Sequence, residues 1–280
     1  MKERVWQAVF LLAACICILW VVLICLFLFV QGVPAVVRVG LPSFLGGIRW
    51  KPGAGLYGIA PMILGSLYAA AGALALGVPG GLLSAVFMAR FCGKGLYRIL
   101  SPGVSLLAGI PSVIYGFFGL TAVVPLIRVL FGGSGKSLLA VSLILGIMIL
   151  PTIITVSEAA IRAVPETCYE GALALGAAHE YAVFFVLVPA AKQGITAGIV
   201  LGIGRAVGET MAVIMVAGNQ ALIPGSPLRG LRTLTANIAL EMGYASGLHR
   251  EVLIATAAAL FVFILGINGL LSLSRNRGNP

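Results

Sequence analysis

The chain contains no aspartate; all eight of its acidic residues are glutamates, and only His179 and His249 supply imidazole. A Ser-His-Asp triad is thereby excluded, and a histidine-rich metal site has too few ligands to form. Charge of either sign is scarce: 9% of the 280 residues are charged, against 60% hydrophobic. A soluble domain carries roughly a quarter charged residues, so this composition belongs to a membrane protein. Five cysteines are present, but no C-x-x-C pair exists. Cys15, Cys17 and Cys25 fall in the first apolar run, while Cys92 and Cys168 stand alone in loops. Neither a zinc ribbon nor a disulfide framework is signalled. The run GGSGKS at 132–137 lacks the first glycine of a phosphate-binding loop, since position 130 is Leu130, and it sits in a turn between apolar spans. It is a flexible loop, and the chain carries no visible engine for nucleotide hydrolysis. No cofactor and no metal are expected.

What the sequence has is long apolar runs. Cutting at the charges gives six: Val5 to about Val30, about Tyr57 to Met88, Arg98 to Arg128, Lys136 to Glu158, a fifth holding Arg205 and Glu209, and Glu251 to Arg275. Each is long enough to cross a hydrocarbon core of about 30 Å at 1.5 Å per residue. The fold class is therefore all-α: a polytopic membrane protein with six transmembrane helices, an N-terminal anchor followed by a five-helix core. The opening MKERVWQ and its apolar run resemble a signal peptide, but the run is too long and lacks a small-residue cleavage site. We read it as a retained anchor. The 37 glycines let helices approach closely in lipid. Pro61, Pro79, Pro111 and Pro125 interrupt the spans, which lipid tolerates only inside a packed bundle that re-satisfies the freed backbone groups.

The formal net charge is +10. The basic residues sit in short loops, where they orient helices and meet lipid head groups rather than nucleic acid. With the N-terminus cytoplasmic, Lys2, Arg4, Arg90, Lys94, Arg98, Arg162, Lys192, Arg275 and Arg277 lie inside. Arg38, Arg49, Lys51, Arg128, Lys136, Arg229, Arg232 and Arg250 then lie outside. The count alone does not orient the chain; the Arg90–Arg98 cluster and the Arg275/Arg277 tail favour a cytoplasmic N-terminus.

Between Lys192 and Arg229 the only charges are Arg205 and Glu209, inside the apolar segment ITAGIVLGIGRAVGETMAVIMVAG. A charge at the bilayer centre costs roughly 2.5–3.5 kcal/mol on insertion scales, so such residues face protein or a water-filled path. The i,i+4 spacing predicts both side chains on one helix face, where the pair cancels its own charge. One reading is a buried ion pair that pins two helices together. The other, which we favour, is a gate or counter-charge for a polar solute.

Glu158 to Lys192 is the most polar stretch inside the core. Pro165 suits a first helical turn, Glu166 and Glu170 favour its positive end, and Gly176 is a natural stop. A helix of about ten residues over 165–176 is expected, with Leu173 and Ala177 on one face. It either rests on lipid or docks a soluble partner. Glu170-Gly171-Ala172-x3-Gly176-x9-Val186-Leu187-Val188-Pro189 resembles the E-A-A-x3-G-x9-I-x-L-P loop of binding-protein-dependent ABC transporter permeases. The departures are Gly171 for alanine, Val186 for isoleucine and Val188 for leucine; Gly171 weakens the helix by roughly 1 kcal/mol. The resemblance implies that Glu170, Gly171, Ala172 and Gly176 belong to a coupling loop that enters a cleft on an ATPase subunit.

A narrower likeness follows. Phe44, Trp50-x-Pro52, Tyr57-Gly58, Gly65-Ser66-Leu67, Ile110-Pro-Ser-Val-Ile-Tyr115-Gly116, Met148-Ile-Leu-Pro151-Thr152 and Gly204-Arg205-Ala-Val-Gly-Glu209-Thr210-Met-Ala-Val213 are similar to PstC-type phosphate permeases over residues 44–245. That resemblance implies half of an ATP-driven phosphate importer in a prokaryotic plasma membrane. Its partners would be a PstA-type permease subunit, two ATP-binding subunits and an extracytoplasmic phosphate-binding protein. Residues 1–56 form the anchor and an extracytoplasmic loop, and 57–275 the permease domain. The chemistry agrees: phosphate needs a compensating cation, and arginine stays protonated with a planar fork that matches its oxygens. Glu209 could hold Arg205 when substrate is absent or accept a hydrogen bond from protonated phosphate, and Thr210 adds a neutral hydroxyl beside the pair. The alternatives are a permease for molybdate, tungstate or sulfate, and a self-contained ion-coupled transporter.

Overall fold

The computed structural model describes residues 2–276; Arg277 of the basic tail lies outside the described residues. In chain order, α1 (Lys2–Val39) and α2 (Leu41–Gly46) precede a two-stranded antiparallel hairpin, β1 (Trp50–Lys51) and β2 (Leu56–Tyr57), closed by a 3-10 turn at Pro52–Ala54. Next come α3 (Ala60–Val86), extended by a π-helical turn at Phe87–Phe91, and α4 (Lys94–Gly109). α5 (Ser112–Phe118), a second π-turn (Gly119–Val123) and α6 (Val124–Phe131) form one continuous rod, and α7 (Leu138–Arg162) follows. The short α8 (Glu166–Ala174) leads to α9 (His179–Tyr181), a third π-turn (Ala182–Leu187) and α10 (Val188–Ala190). The chain finishes with α11 (Lys192–Gly208), α12 (Met211–Val216), α13 (Leu234–Glu241) and α14 (Gly247–Asn276).

Among the described residues, five stretches are long and apolar enough to cross a membrane: Val9–Val39, Ala60–Phe91, Ser112–Phe131, Leu138–Arg162 and Gly247–Gly269. A sixth arises if His179–Ala190 and Lys192–Gly208, bent by 69° at Ala191, count as one span. The expectation of a helical polytopic protein with an N-terminal span holds. Two boundaries differ. α1 has 38 residues, about 57 Å at 1.5 Å per residue, and carries Pro34 without ending. The third span starts at Ser112 and not at Arg98. Pro111 is the reason: it holds itself and Ile110 in extended backbone (ψ 141° and 125°), since the residue before a proline is pushed out of the helical region. The preceding α4 is a separate amphipathic helix with no buried residue. Of the four prolines expected to interrupt spans, Pro61 begins α3, where the missing N–H costs nothing, Pro111 separates α4 from α5, and Pro79 and Pro125 lie within continuous helical rods, Pro125 directly after the π-turn. Cys168 sits inside α8 rather than in a loop.

The bundle centre is α3, α7 and α11 packed around Ile144, Leu145, Met148, Ile149 and Ile153, all essentially inaccessible. The ends differ. At the hairpin end, Ala35, Phe44, Trp50, Tyr57, Ile59 and Met62 share a second core with Leu234, Val252 and Leu253. The stretch from Ala35 to Tyr57 is thus packed onto the rest of the bundle, while the described side chains of α1 before it are largely exposed. At the opposite, short-helix end, a third cluster joins Val86, Ile161, Val164, Val183, Leu187 and Ile195.

Candidate functional site

α11 carries Arg205 in its last turn and stops at Gly208. Glu209 is extended (φ −69°, ψ 131°), and a new helix starts at Met211. The i,i+4 pair on one continuous face is therefore absent, and no salt bridge joins Arg205 to Glu209 among the described residues. The reason is local capping. Glu209 Oε1 accepts the Ala212 N–H at 3.1 Å, three residues on, in the manner of a helix N-cap. The Glu209 carbonyl accepts the Thr235 hydroxyl at 3.0 Å, so the break is tied to α13. Thr210 turns its hydroxyl back to donate to the Gly208 carbonyl at 3.3 Å. The apolar run through 201–217 hid this break in the sequence.

Arg205 is half-buried. Its Nη1 donates a long 3.4 Å hydrogen bond to Thr152 Oγ1 on α7. The Tyr115 hydroxyl donates to the Leu107 carbonyl at 2.8 Å, so the ring is fixed against α4. Gly116 allows the close crossing: a Cβ there would come within 2.8 Å of Ala212 Cα and of Met215 Sδ on α12. α11 and α7 thus bring one guanidinium and one threonine hydroxyl together, with no carboxylate paired to the cation among the described residues. A guanidinium so placed costs free energy unless an anion or water satisfies it. Thr152 lay in a motif singled out above without a role of its own; nothing in its local spacing connects it to Arg205.

At the short-helix end, α8 spans nine residues from the Pro165 cap. Gly176 has φ +89°, its N–H bonds the Leu173 carbonyl and the Ala177 N–H bonds the Ala172 carbonyl, at 2.9 and 3.1 Å. This is a Schellman stop, and the left-handed residue is glycine because a side chain resists that conformation. The expected bounds at Pro165 and Gly176 hold. No α8 residue is buried: Glu170 and Gly171 are exposed, Ala172 is half-buried, and Leu175 is 92% exposed.

The hairpin end carries a polar cluster that the sequence did not disclose. Glu241, 9% exposed, accepts from Arg232 Nη1 at 2.6 Å through one oxygen. Its other oxygen accepts from Trp50 Nε1 at 2.8 Å and lies 2.9 Å from His249 Nε2. A carboxylate offers no proton, so Nε2 carries it. Arg232 also donates to Asn237 Oδ1 and to the Asn219 carbonyl, at 3.0 and 2.9 Å. Among the described residues no three His, Cys, Asp or Glu side chains gather where they could hold a metal.

Comparison with known proteins sets this geometry in context. The profile for "Binding-protein-dependent transport system inner membrane component" matches residues 77–277. The chain is 40% identical over 230 residues to the probable ABC transporter permease protein YqgH of Bacillus subtilis, covering 80% of this chain and 74% of that one. It is 36% identical over 241 residues to the phosphate transport system permease protein PstC of Mesorhizobium japonicum, covering 79% and 74%. Its backbone is similar to a chain of the inward-facing MetNI methionine ABC transporter, with a TM-score of 0.61 at 21% identity, covering 83% of this chain and all of the other. That likeness speaks to fold alone.

Proposed function

We propose that this chain, which belongs to the family of binding-protein-dependent transport system inner membrane components, carries phosphate through the membrane as one half of an ATP-driven importer. Members of that family are multi-pass permeases of the inner membrane; the chain is not itself an enzyme, and ATP is hydrolysed by separate subunits. The finer statements are our reading. The substrate is phosphate, the second half is a PstA-type permease, and an extracytoplasmic phosphate-binding protein delivers the load.

The observation that carries this reading is Arg205, a half-buried guanidinium in an apolar span with no carboxylate partner. Phosphate brings the charge it lacks and accepts from Thr152 as well. With the N-terminus cytoplasmic, the hairpin end is extracytoplasmic. Arg38, Arg49, Lys51, Arg128, Lys136, Arg229, Arg232 and Arg250 then face the supply side, against only Glu241 and Glu251. Such an excess raises the local concentration of an anion. Similarity to PstC of Mesorhizobium japonicum favours phosphate over molybdate, tungstate or sulfate. Glu209, kept off Arg205, is free to accept from a protonated phosphate oxygen, which sulfate lacks at neutral pH. Purification of the tagged chain with its partners, followed by uptake of labelled phosphate against arsenate and sulfate, tests the proposal. Arsenate should compete and sulfate should not; inhibition by sulfate at equal concentration points to a different oxyanion.

The same orientation makes Cys92 and Cys168 cytoplasmic. An impermeant maleimide applied to intact cells should label neither, and labelling from outside overturns the orientation.

Glu170, Gly171, Ala172 and Gly176 belong, in this reading, to the loop that docks the ATPase, with exposed Leu175 as its apolar contact. Gly176→Leu forces a β-carbon onto a left-handed residue, a strain of about 1–2 kcal/mol or more. The variant should reach the membrane, yet capture less ATPase and transport at most a tenth of wild type. Normal capture and uptake would mean that α8 rests on lipid.

A further inference from the structure

No residue of α8 is buried, and its apolar anchor is Tyr169, packed against the cluster of Val86, Ile161, Val164, Val183 and Leu187. Further contacts must fix it to the bundle if movement at α8 is to reach the spans. The contacts that do so are polar and aromatic, and they converge on the π-turn that ends α3. Arg90, in that turn, has a side chain only 13% exposed and donates from Nη1 to both oxygens of Glu166, at 3.1 and 2.9 Å. The same guanidinium lies over the Tyr169 ring, 5.6 Å from its centroid. Tyr169 hydroxyl meets His179 Nδ1 at 2.7 Å, and the His179 ring packs edge-on against Phe91 with centroids 4.7 Å apart. The circuit closes on itself: α3 end, α8, α9, and back to the α3 end.

A neighbouring arginine braces the same turn. Arg162 pairs with Glu158 at 2.8 Å, donates to the Met88 carbonyl at 2.8 Å, and lies 4.7 Å over the Tyr97 ring of α4. A π-turn leaves backbone groups unevenly paired and is often kept at functional positions. Here the Met88 carbonyl is satisfied by a side chain from α7, so α3 and α7 end as one unit.

We infer that Arg90 is a positioning residue that clamps α8 to the end of α3, so that displacement of α8 moves the α3–α7–α11 core, and with it Arg205, as one body. The inference rests on the docking role assigned to α8 above. One guanidinium nitrogen, Nη1, serves both carboxylate oxygens while the guanidinium carbon lies over the phenol ring, and Nε is left without a partner. A lysine ammonium keeps the ion pair but loses the flat contact with the ring. The contacts of Arg90 are to Glu166 and Tyr169 within the chain, so its effect is on the yield of transport per ATP.

The test uses the assembled transporter in proteoliposomes, reading phosphate transported per ATP hydrolysed. Arg90→Gln should keep ATPase capture and basal hydrolysis within about twofold while the ratio falls about tenfold. Arg90→Lys should recover part of it, and the exchange Arg90→Glu with Glu166→Arg should recover more than either single change. A ratio in Arg90→Gln equal to wild type overturns the clamp. So does loss of capture or of thermal stability in step with transport, which would make Arg90 merely a fold-stabilising residue. A parallel variant, Leu175→Glu, separates this from failure of the underlying reading. If α8 docks the ATPase, Leu175→Glu loses capture whatever Arg90 does; if capture survives, α8 is not the docking helix and the inference falls with it.

Discussion

Replacing Arg205 with glutamine should abolish transport while leaving the assembly intact. Glutamine keeps the length to reach Thr152 but removes the only charge available to an anion at that depth. A charge-assisted hydrogen bond contributes about 1.5–3 kcal/mol, and a bidentate contact to phosphate makes two. Uptake should therefore fall by about 100-fold or more, at roughly 1.4 kcal/mol per factor of ten. Stability should not fall, because Arg205 has no carboxylate partner to leave uncompensated. Glu209→Gln is expected to behave differently. Its amide oxygen still accepts from Ala212, so α12 stays capped, and phosphate uptake should drop only several-fold while sulfate gains. The i,i+4 spacing predicts a coupled pair whose double change is non-additive. The break after Gly208 removes that direct pairing, so any non-additivity in the double change then reports the phosphate that the two side chains share. Uptake at saturating binding protein for both single variants and the double decides among these. Wild-type rates in Arg205→Gln would return the residue to a packing role.

The contrast between those two predictions shows where sequence ceases to be informative. Charges delimit apolar spans, and proline and glycine punctuate helices, so α7 and the bounds of α8 at Pro165 and Gly176 were legible from local chemistry. The helix break at Glu209 was not, because hydropathy runs through it unchanged and the cause is a carboxylate reaching three residues forward. Pro111 did carry its signal, yet the apolar composition on both sides made one span of two helices. Thr152 lies 53 residues from Arg205 and Trp50 lies 191 from Glu241. Contacts at such separation leave no periodicity to read. A family resemblance could mark their motifs, but only the packed helices say which side chains meet.

Glu241 is the clearest case, and it supports the second large effect. One carboxylate holds Arg232 from the loop before α13, His249 from α14 and Trp50 from the hairpin, all with little solvent. Glu241→Leu leaves the Arg232 guanidinium, 18% exposed, with only the neutral acceptors Asn237 Oδ1 and the Asn219 carbonyl and its charge uncompensated. Breaking a buried pair from one side costs about 3–5 kcal/mol, enough to lower the thermal midpoint of the detergent-solubilised chain sharply. Converting both partners, Glu241→Leu with Arg232→Met, removes the unpaired charge and should recover most of the midpoint, since an apolar replacement of such a pair is often neutral. Recovery of transport should lag behind recovery of stability. The cluster fixes α13, and α13 holds the Glu209 carbonyl through Thr235, so the double variant keeps a folded bundle whose break beside Arg205 is less firmly placed. Equal midpoints for Glu241→Leu and wild type would show that the cluster contributes nothing to the fold. Full transport in the stable double variant would detach it from the Arg205 site.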